Sequence, residues 1–296
     1  MRKRRARTGH AAFAQLMTSP GALILIAFSF VPFVYVIYTS MTNLDLLNFN
    51  RGADFVGLKN YATILQDGKF RQALTTTLYF TFLAVVLETV LGYALALFVN
   101  SLRFGQSTMR VILLLPMLCP PVTVTMVWQT MFSNAYGVLN RLLEVFGIAP
   151  VNWLQDVRVA FYAIVWVDVW QYMPMVFLLM YVGLRTIPDE MKEAASIDGA
   201  NSFQTFRYII FPQLLSTLGV VVLLRIIDAF RLFDKVNILT RGGPADSTKT
   251  ITMYIYQTGI DQFRIGYASA GSVLMALAVL ILASPYLRAS FRKLKR

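Results

Sequence analysis

The sequence predicts an all-α membrane protein with six transmembrane helices, and two observations carry that expectation. Hydrophobic residues make up 57% of the 296-residue chain and charged residues only 14%, whereas soluble domains are about one quarter charged. Six separate stretches are apolar over roughly 20 residues each, the length that crosses a hydrocarbon layer about 30 Å thick. A mean hydropathy of +0.59 also excludes a disordered chain or a disulfide-stapled secreted domain.

The first stretch, 19–40, follows a basic N-terminal tail, 1–18, that holds Arg2, Lys3, Arg4, Arg5 and Arg7. It ends in Tyr38-Thr39-Ser40 with no A-x-A site, so a retained helix is expected rather than a cleaved signal peptide. The second, 74–99, carries Glu88 near its middle. The third, 109–132, contains Pro116-Met117-Leu118-Cys119-Pro120-Pro121. Each proline removes a backbone donor, and freed backbone groups persist in lipid only where protein or water satisfies them. This span is therefore expected to break and to line a pathway. The fourth, 159–184, carries Asp168 and Pro174, the fifth, 209–230, carries Arg225 and Asp228, and Pro32 falls within the first. The sixth, 267–287, precedes a second basic tail, 288–296, with Arg288, Arg292, Lys293, Lys295 and Arg296.

An even number of crossings puts both termini on one side. With the termini inside, the inner segments hold 14 Lys and Arg over about 61 residues and the outer segments 11 over about 95. The denser basic side is the cytoplasmic one. The net charge of +12 thus marks membrane topology and lipid contact rather than nucleic-acid binding. One membrane domain, 19–287, is expected between the two tails.

One cysteine, Cys119, and one histidine, His10, leave no zinc set and no catalytic triad. No catalytic residue and no metal site are expected. No G-x-x-x-x-G-K-[ST] occurs, so the chain does not cradle nucleotide phosphates itself.

Charges within spans are costly and usually face a bundle interior or a polar pathway. Arg225 and Asp228, three apart, share a helical face and can neutralise each other. Glu88 and Asp168 have no partner within a turn, so they either pair across helices, with Arg225 a candidate, or line water. The run Trp166-Val167-Asp168-Val169-Trp170-Gln171-Tyr172 mixes ring faces with hydrogen-bonding groups, a surface suited to a polyhydroxyl solute. Asp168 and Tyr172 share one face, and Trp170 lies about 200° away on a helix. Trp170 is the expected cavity face.

Between the fourth and fifth spans, the loop 185–208 reads as two short helices and a sharp turn. Pro188 suits a first helical position, and Asp189 and Glu190 suit the positive end of the helix dipole. Gly199 can adopt the left-handed conformation that ends a helix, and Asn201 or Ser202, with Gln204, can cap the next.

This loop resembles the signature of permease subunits in binding-protein-dependent ABC importers, E-A-A-x-x-x-G, nine residues, then I-x-x-P. Glu193, Ala194, Ala195, Gly199, Ile209 and Pro212 fit it at every spacing, and Asp198-Gly199-Ala200 fills the form usual in sugar importers. Thr240-x-Gly242-Gly243-Pro244, after Asp228-Ala229-Phe230-Arg231-Leu232-Phe233-Asp234, is similar to an outer loop in one of the paired permeases of maltose-type carbohydrate importers. The resemblance implies the type I importer permease fold, in its shorter six-span form, in a bacterial inner membrane.

It also implies that Glu193, Ala194, Ala195, Asp198, Gly199 and Ala200 dock in a cleft of an ATP-hydrolysing subunit. Glu193 would pair with a basic residue there, Ala194 and Ala195 would allow close packing, and Gly199 would make the turn. Implied partners are a second similar permease, two ATP-binding subunits and an external substrate-binding protein. ATP and magnesium would be held by the ATPase partners and no cofactor by this chain. The solute class is a sugar or a related polyol, sugar acid or glycerol phosphate, with Trp170, Asp168, Tyr172, Glu88, Arg225 and Asp228 along its path.

Two other classes compete with this reading. A membrane phosphotransferase is suggested by Asp198-Gly199, but Ser202 and Phe203 stand where that family has Ala and Arg, and no D-x-x-x-D follows. A secondary transporter would show an inverted repeat, and none is evident.

Overall fold

The computed structural model describes the backbone of residues 2–47 and 52–294 and the side chains of residues 17–47, 52–286 and 288. The side chains of Arg2, Lys3, Arg4, Arg5, Arg7, Arg292 and Lys293, and all of Lys295 and Arg296, lie outside the described residues. Thirteen α-helices occupy the described chain, which holds no β-strand beyond an isolated Thr42–Phe55 bridge. They are α1 (Arg2–Ser40), α2 (Lys59–Gln66), α3 (Gly68–Ser101), α4 (Gln106–Leu118), α5 (Pro121–Met131), α6 (Val138–Val145), α7 (Ala160–Arg185), α8 (Asp189–Ile197), α9 (Ser202–Thr205), α10 (Phe211–Phe230), α11 (Asp234–Leu239), α12 (Ile251–Tyr256) and α13 (Ile265–Leu294). Of these, α1, α3, α7, α10 and α13 contain apolar runs long enough to cross a membrane, and the bent pair α4–α5 is the sixth candidate.

The first and last apolar spans, Met17–Ser40 and Ile265–Tyr286, fall within two residues of the expected 19–40 and 267–287, but helical backbone runs on past both, from Arg2 in α1 and to Leu294 in α13. Good helix formers such as Ala11, Ala12, Ala14 and Gln15, and Leu287 to Leu294 at the other end, explain the extension. Proline also acts unevenly. Helices α1 and α7 continue through Pro32 and Pro174, whereas the third span breaks, bending 92° between α4 and α5. There, two successive residues precede a proline, which biases each away from the helical region. Cys119 has ψ 139° and Pro120 ψ 136°, both extended.

The chain forms two compact parts, 67–254 with 276–296 and 1–66 with 255–275. In the smaller, Thr39 Oγ1 donates to Ser269 Oγ at 3.0 Å, Gly266 N donates to Leu44 O at 2.9 Å, and Asn60 Nδ2 donates to Ser40 O and Thr42 O. In the larger, α3 and α7 form the central pair. Tyr79, in the fourth turn of α3, stacks on Phe161 in the first turn of α7, and Gly92 meets Val176 farther along. Residue numbers rise together, so the two helices run parallel and cross the bilayer in the same direction. The chain must return between them, and only α4–α5 can carry it back. The bent pair is therefore one full crossing, which makes six.

Buried apolar clusters lie on both sides of this pair's midpoint. One gathers Phe80, Trp128, Phe132, Ile164 and Val236, and the other Ala96, Val99, Phe177, Met180 and Leu214. Gly92 sets the approach: a Cβ there would lie 2.8 Å from Val176 Cβ and 2.9 Å from Phe177 N, with no flexible side chain to yield. Gly92→Val is expected to lower the thermal midpoint of the purified protein, at an overpacking cost of about 1–3 kcal/mol. Gly68→Ala, where a Cβ meets nothing within 4 Å, is expected to leave it unchanged. Equal midpoints for the two variants would contradict this packing.

Candidate functional site

Helix α10 brings Arg225 between α3 and α7. Its Nε donates to Glu88 Oε2 at 2.6 Å and its Nη2 to Glu88 Oε1 at 2.8 Å, a two-pronged contact that also fixes the guanidinium plane. Nη2 reaches Asp168 Oδ2 at 3.1 Å, and the other oxygen of Asp168 lies 2.8 Å from Lys235 Nζ on α11. All four side chains are buried. Two cations offset two carboxylates, as burial at this depth requires, because an unpaired charge in a low-dielectric interior is strongly destabilising. The Tyr172 ring lies close to both cations, 4.4 Å from Arg225 Cζ and 4.5 Å from Lys235 Nζ.

Both open questions about the charges are thereby answered. Glu88 and Asp168 pair across helices with Arg225. The Arg225–Asp228 contact is secondary, at 3.6 Å, and Asp228 is 47% exposed and also approaches Arg231 at 4.0 Å. Lys235 escaped the sequence reading because it lies past the end of the fifth span. The signal was an imbalance: three acidic residues within spans faced one arginine, which requires a further cation from just outside.

Asp168, Tyr172, Arg225, Asp228 and Lys235, with Pro121 at the helix break, line a polar cavity of about 220 Å³. Trp170, expected to face a cavity, does not line this one. It is 38% exposed and meets Trp128 edge-on at 5.6 Å. The two cations hold Asp168 inward and so fix the rotation of α7, which turns Trp170 away. Neighbouring Gln171 satisfies the break itself, its Nε2 donating to Cys119 O at 3.2 Å, a carbonyl left free where the helix stops.

The loop between α7 and α10 folds as the capping residues dictate. Gly199 has φ +79°. Ala200 N donates to Ala195 O at 2.9 Å and Gly199 N to Ser196 O at 3.1 Å, the two bonds of a Schellman ending. Asn201 then caps α9: its Oδ1 accepts from Gln204 N at 2.9 Å, and Gln204 Oε1 accepts from Asn201 N at 2.8 Å. Pro188 sits one position before the first helical residue rather than at it, its ψ of 137° being extended. Lys192 donates to Asp189 at 2.8 Å and holds its carboxyl below the usual aspartate range. Glu193, Ala194, Asp198 and Gly199 are exposed, Ala200 is half-buried, and Ile197 and Phe203 stand out at 86% and 71% exposure. Ala195 is buried within the chain, so the close packing it allows is internal and only Ala194 of the pair is open to a partner.

Removing the shared cation should be worse than removing the whole pair. Arg225→Met strands the buried Glu88 carboxylate and leaves Asp168 with Lys235 alone, and is expected to cost about 3–5 kcal/mol, seen as loss of folded protein on size-exclusion chromatography. Adding Glu88→Leu to it is expected to recover part of the thermal midpoint, and a double variant less stable than the single would overturn this account.

The profile of a family described as the inner membrane component of binding-protein-dependent transport systems matches residues 88–292. The trehalose/maltose transport system permease protein MalF of Thermococcus litoralis is 36% identical over 279 residues, covering 94% of this chain and 93% of that one. The probable ABC transporter permease protein y4oQ of Sinorhizobium fredii is 36% identical over 275 residues, covering 93% and 89%. A crystal structure of a bacterial ABC transporter involved in the import of the acidic polysaccharide alginate contains a chain that superposes with a TM-score of 0.84 at 20% identity, over 98% of this chain and 99% of that one, a likeness of fold. The resemblance drawn from the loop and the six-span expectation are both borne out. With crossing helices, a glycine-turned loop and a family profile covering more than half its length, the chain belongs to the inner membrane components of binding-protein-dependent transport systems.

Proposed function

We propose that this chain is one of two paired permeases in an ATP-driven importer of the bacterial inner membrane, and that it passes a sugar or sugar-like solute delivered by an external binding protein. The observation that carries the proposal is the corner between α8 and α9. A left-handed glycine turns it, its backbone bonds are closed internally, and Ile197 and Phe203 are left uncovered beside Glu193 and Asp198. A compact, pre-formed knob with bare apolar side chains suits insertion into a cleft. The chain has no phosphate-cradling motif of its own, so the work would come from two ATP-binding, magnesium-dependent partner subunits.

The sugar class rests on relatives. One is named as a trehalose/maltose permease, and another, the sulfoquinovosyl glycerol transport system permease protein SmoG of Agrobacterium fabrum, is 32% identical over 280 residues. On this reading the solute passes Asp168, Tyr172, Arg225 and Asp228 in the polar cavity, with Glu88 behind them as support. ATP-driven closure of the ATPase pair would shift the corner and exchange inward-facing for outward-facing access, a rigid-body change between two states. A membrane phosphotransferase or a secondary transporter would need no ATPase partner.

An affinity-tagged chain expressed from its own operon is expected to copurify ATP-binding subunits, and purification without them would remove the proposal. Gly199→Leu forces a bulky residue into φ +79° and enlarges the knob, and is expected to abolish uptake while the chain still inserts. Uptake at the wild-type rate would end the docking role. Orientation is tested separately in a Cys119→Ser background. Ala245→Cys is expected to react with an impermeant thiol reagent added outside, and Ser202→Cys only after the membrane is opened. The opposite pattern would invert the topology.

A further inference from the structure

A second cavity, of about 550 Å³, lies between the third and fourth turns of α3 and the first turn of α7, away from the Arg225 network. Thr75, Thr76, Tyr79, Arg158, Tyr162 and Ser247 line it. Three of its features point to one ligand. The first is an uncompensated cation, since the exposed Arg158 guanidinium makes no hydrogen bond or ion pair with the described residues. The second is an orphan polar group: Ser247 Oγ is buried without a hydrogen-bond partner. The third is a polarity gradient. Cation and hydroxyls gather at one end, the Tyr79–Phe161 stack (5.2 Å, 18°) and the Tyr162 ring follow, and exposed Phe82, Val86 and Trp166 continue along the same helix faces at spacings of three, seven and four.

Depth agrees with this order. Helix α3 has 34 residues, about 51 Å at 1.5 Å per residue, well beyond the roughly 30 Å of hydrocarbon. Its excess length therefore lies outside the apolar layer, and Thr75 and Thr76, about 11 Å from its start, fall at the boundary. Arg158 precedes the first turn of α7, at the same level. A guanidinium with free donors beside hydroxyls, at the level of headgroups and above an aromatic and aliphatic strip, matches a phosphodiester carrying an acyl chain.

We propose that this groove is a phospholipid site. The lipid phosphate sits against Arg158, Ser247 Oγ and Thr76, and one acyl chain runs over Tyr79 and Tyr162 toward Phe82 and Trp166. A free solute would not need the apolar strip, and a protein partner would have to bring a carboxylate to the same depth. The inference requires only that α3 and α7 cross a bilayer, and not that the chain carries a sugar.

The test is native mass spectrometry of the purified transporter complex after exchange into detergent with palmitoyl-oleoyl phosphatidylglycerol, with monogalactosyl diacylglycerol as a phosphate-free comparison. The wild type is expected to retain the phospholipid, Arg158→Gln to retain at least about five-fold less, Ser247→Ala an intermediate amount, and the galactolipid to be lost from all three. The lipid should also raise the thermal midpoint of the wild type but not of Arg158→Gln. Equal phospholipid retention by wild type and both variants would overturn the site. So would galactolipid retention matching that of phospholipid, or an Arg158→Gln complex that loses its second membrane subunit with lipid content unchanged. No solute or ATP enters the measurement, so its failure is separate from a failure of the transport reading.

Discussion

The fork between Arg225 and Glu88 is the constraint around which the larger part of the molecule is arranged. One guanidinium joins α3, α7 and α10, and Asp168 passes the connection on to Lys235 of α11. Such a network adds little net stability compared with well-packed apolar side chains, because each charge had to leave water. What it supplies here is register. Apolar faces tolerate a few degrees of rotation or a small slide, but a two-pronged contact at 2.6 and 2.8 Å does not. Pinning Asp168 inward decides which side of α7 is polar, and hence that Tyr172 faces the cavity while Trp170 is turned toward Trp128.

The break in the third span shows how a disrupted helix is tolerated at this depth. Two adjacent prolines free backbone groups that lipid cannot satisfy, and the neighbouring helix supplies a carboxamide, from Gln171, to take up the Cys119 carbonyl. Gln171 and Asp168 stand three apart on α7, so one helix serves both the ion network and the break. Pro121 then forms part of the cavity wall, which places the break in the span beside the charged groups.

Much of this was legible in the residues because it depends on local chemistry. Spans follow from hydrophobic length, and the α8–α9 corner follows from Gly199, Asn201 and Gln204, whose capping roles are intrinsic to their side chains. What could not be read depends on rotation and on distance in sequence. Lys235 is sixty-seven residues from Asp168 and lies outside any apolar run, so no spacing rule connects them. The orientation of Trp170 depends on where α7 is held by partners on two other helices. Buried Ala195 is a third case, since alanine suits an exposed contact and an internal one equally well. Pro32 and Pro174 are a fourth, because an isolated proline inside a long apolar helix keeps enough flanking hydrogen bonds to continue, and only the doubled proline forces an extended backbone.

The stretch leaving the α8–α9 corner contains no loop. Helix α9 runs directly into a π-helical turn over Phe206–Ile210, and that turn into α10. The wide turn lies just before Pro212, which lacks the donor a regular turn would use there. From Ser202 to Arg225 the backbone is thus one continuous rod of 24 residues, about 36 Å at 1.5 Å per residue. Because the corner's own hydrogen bonds are closed internally, little slack remains at its near end, and the fork to Glu88 leaves little at the far end. In mechanical terms the corner and the ion network stand at the two ends of one helical rod, with the π turn between them.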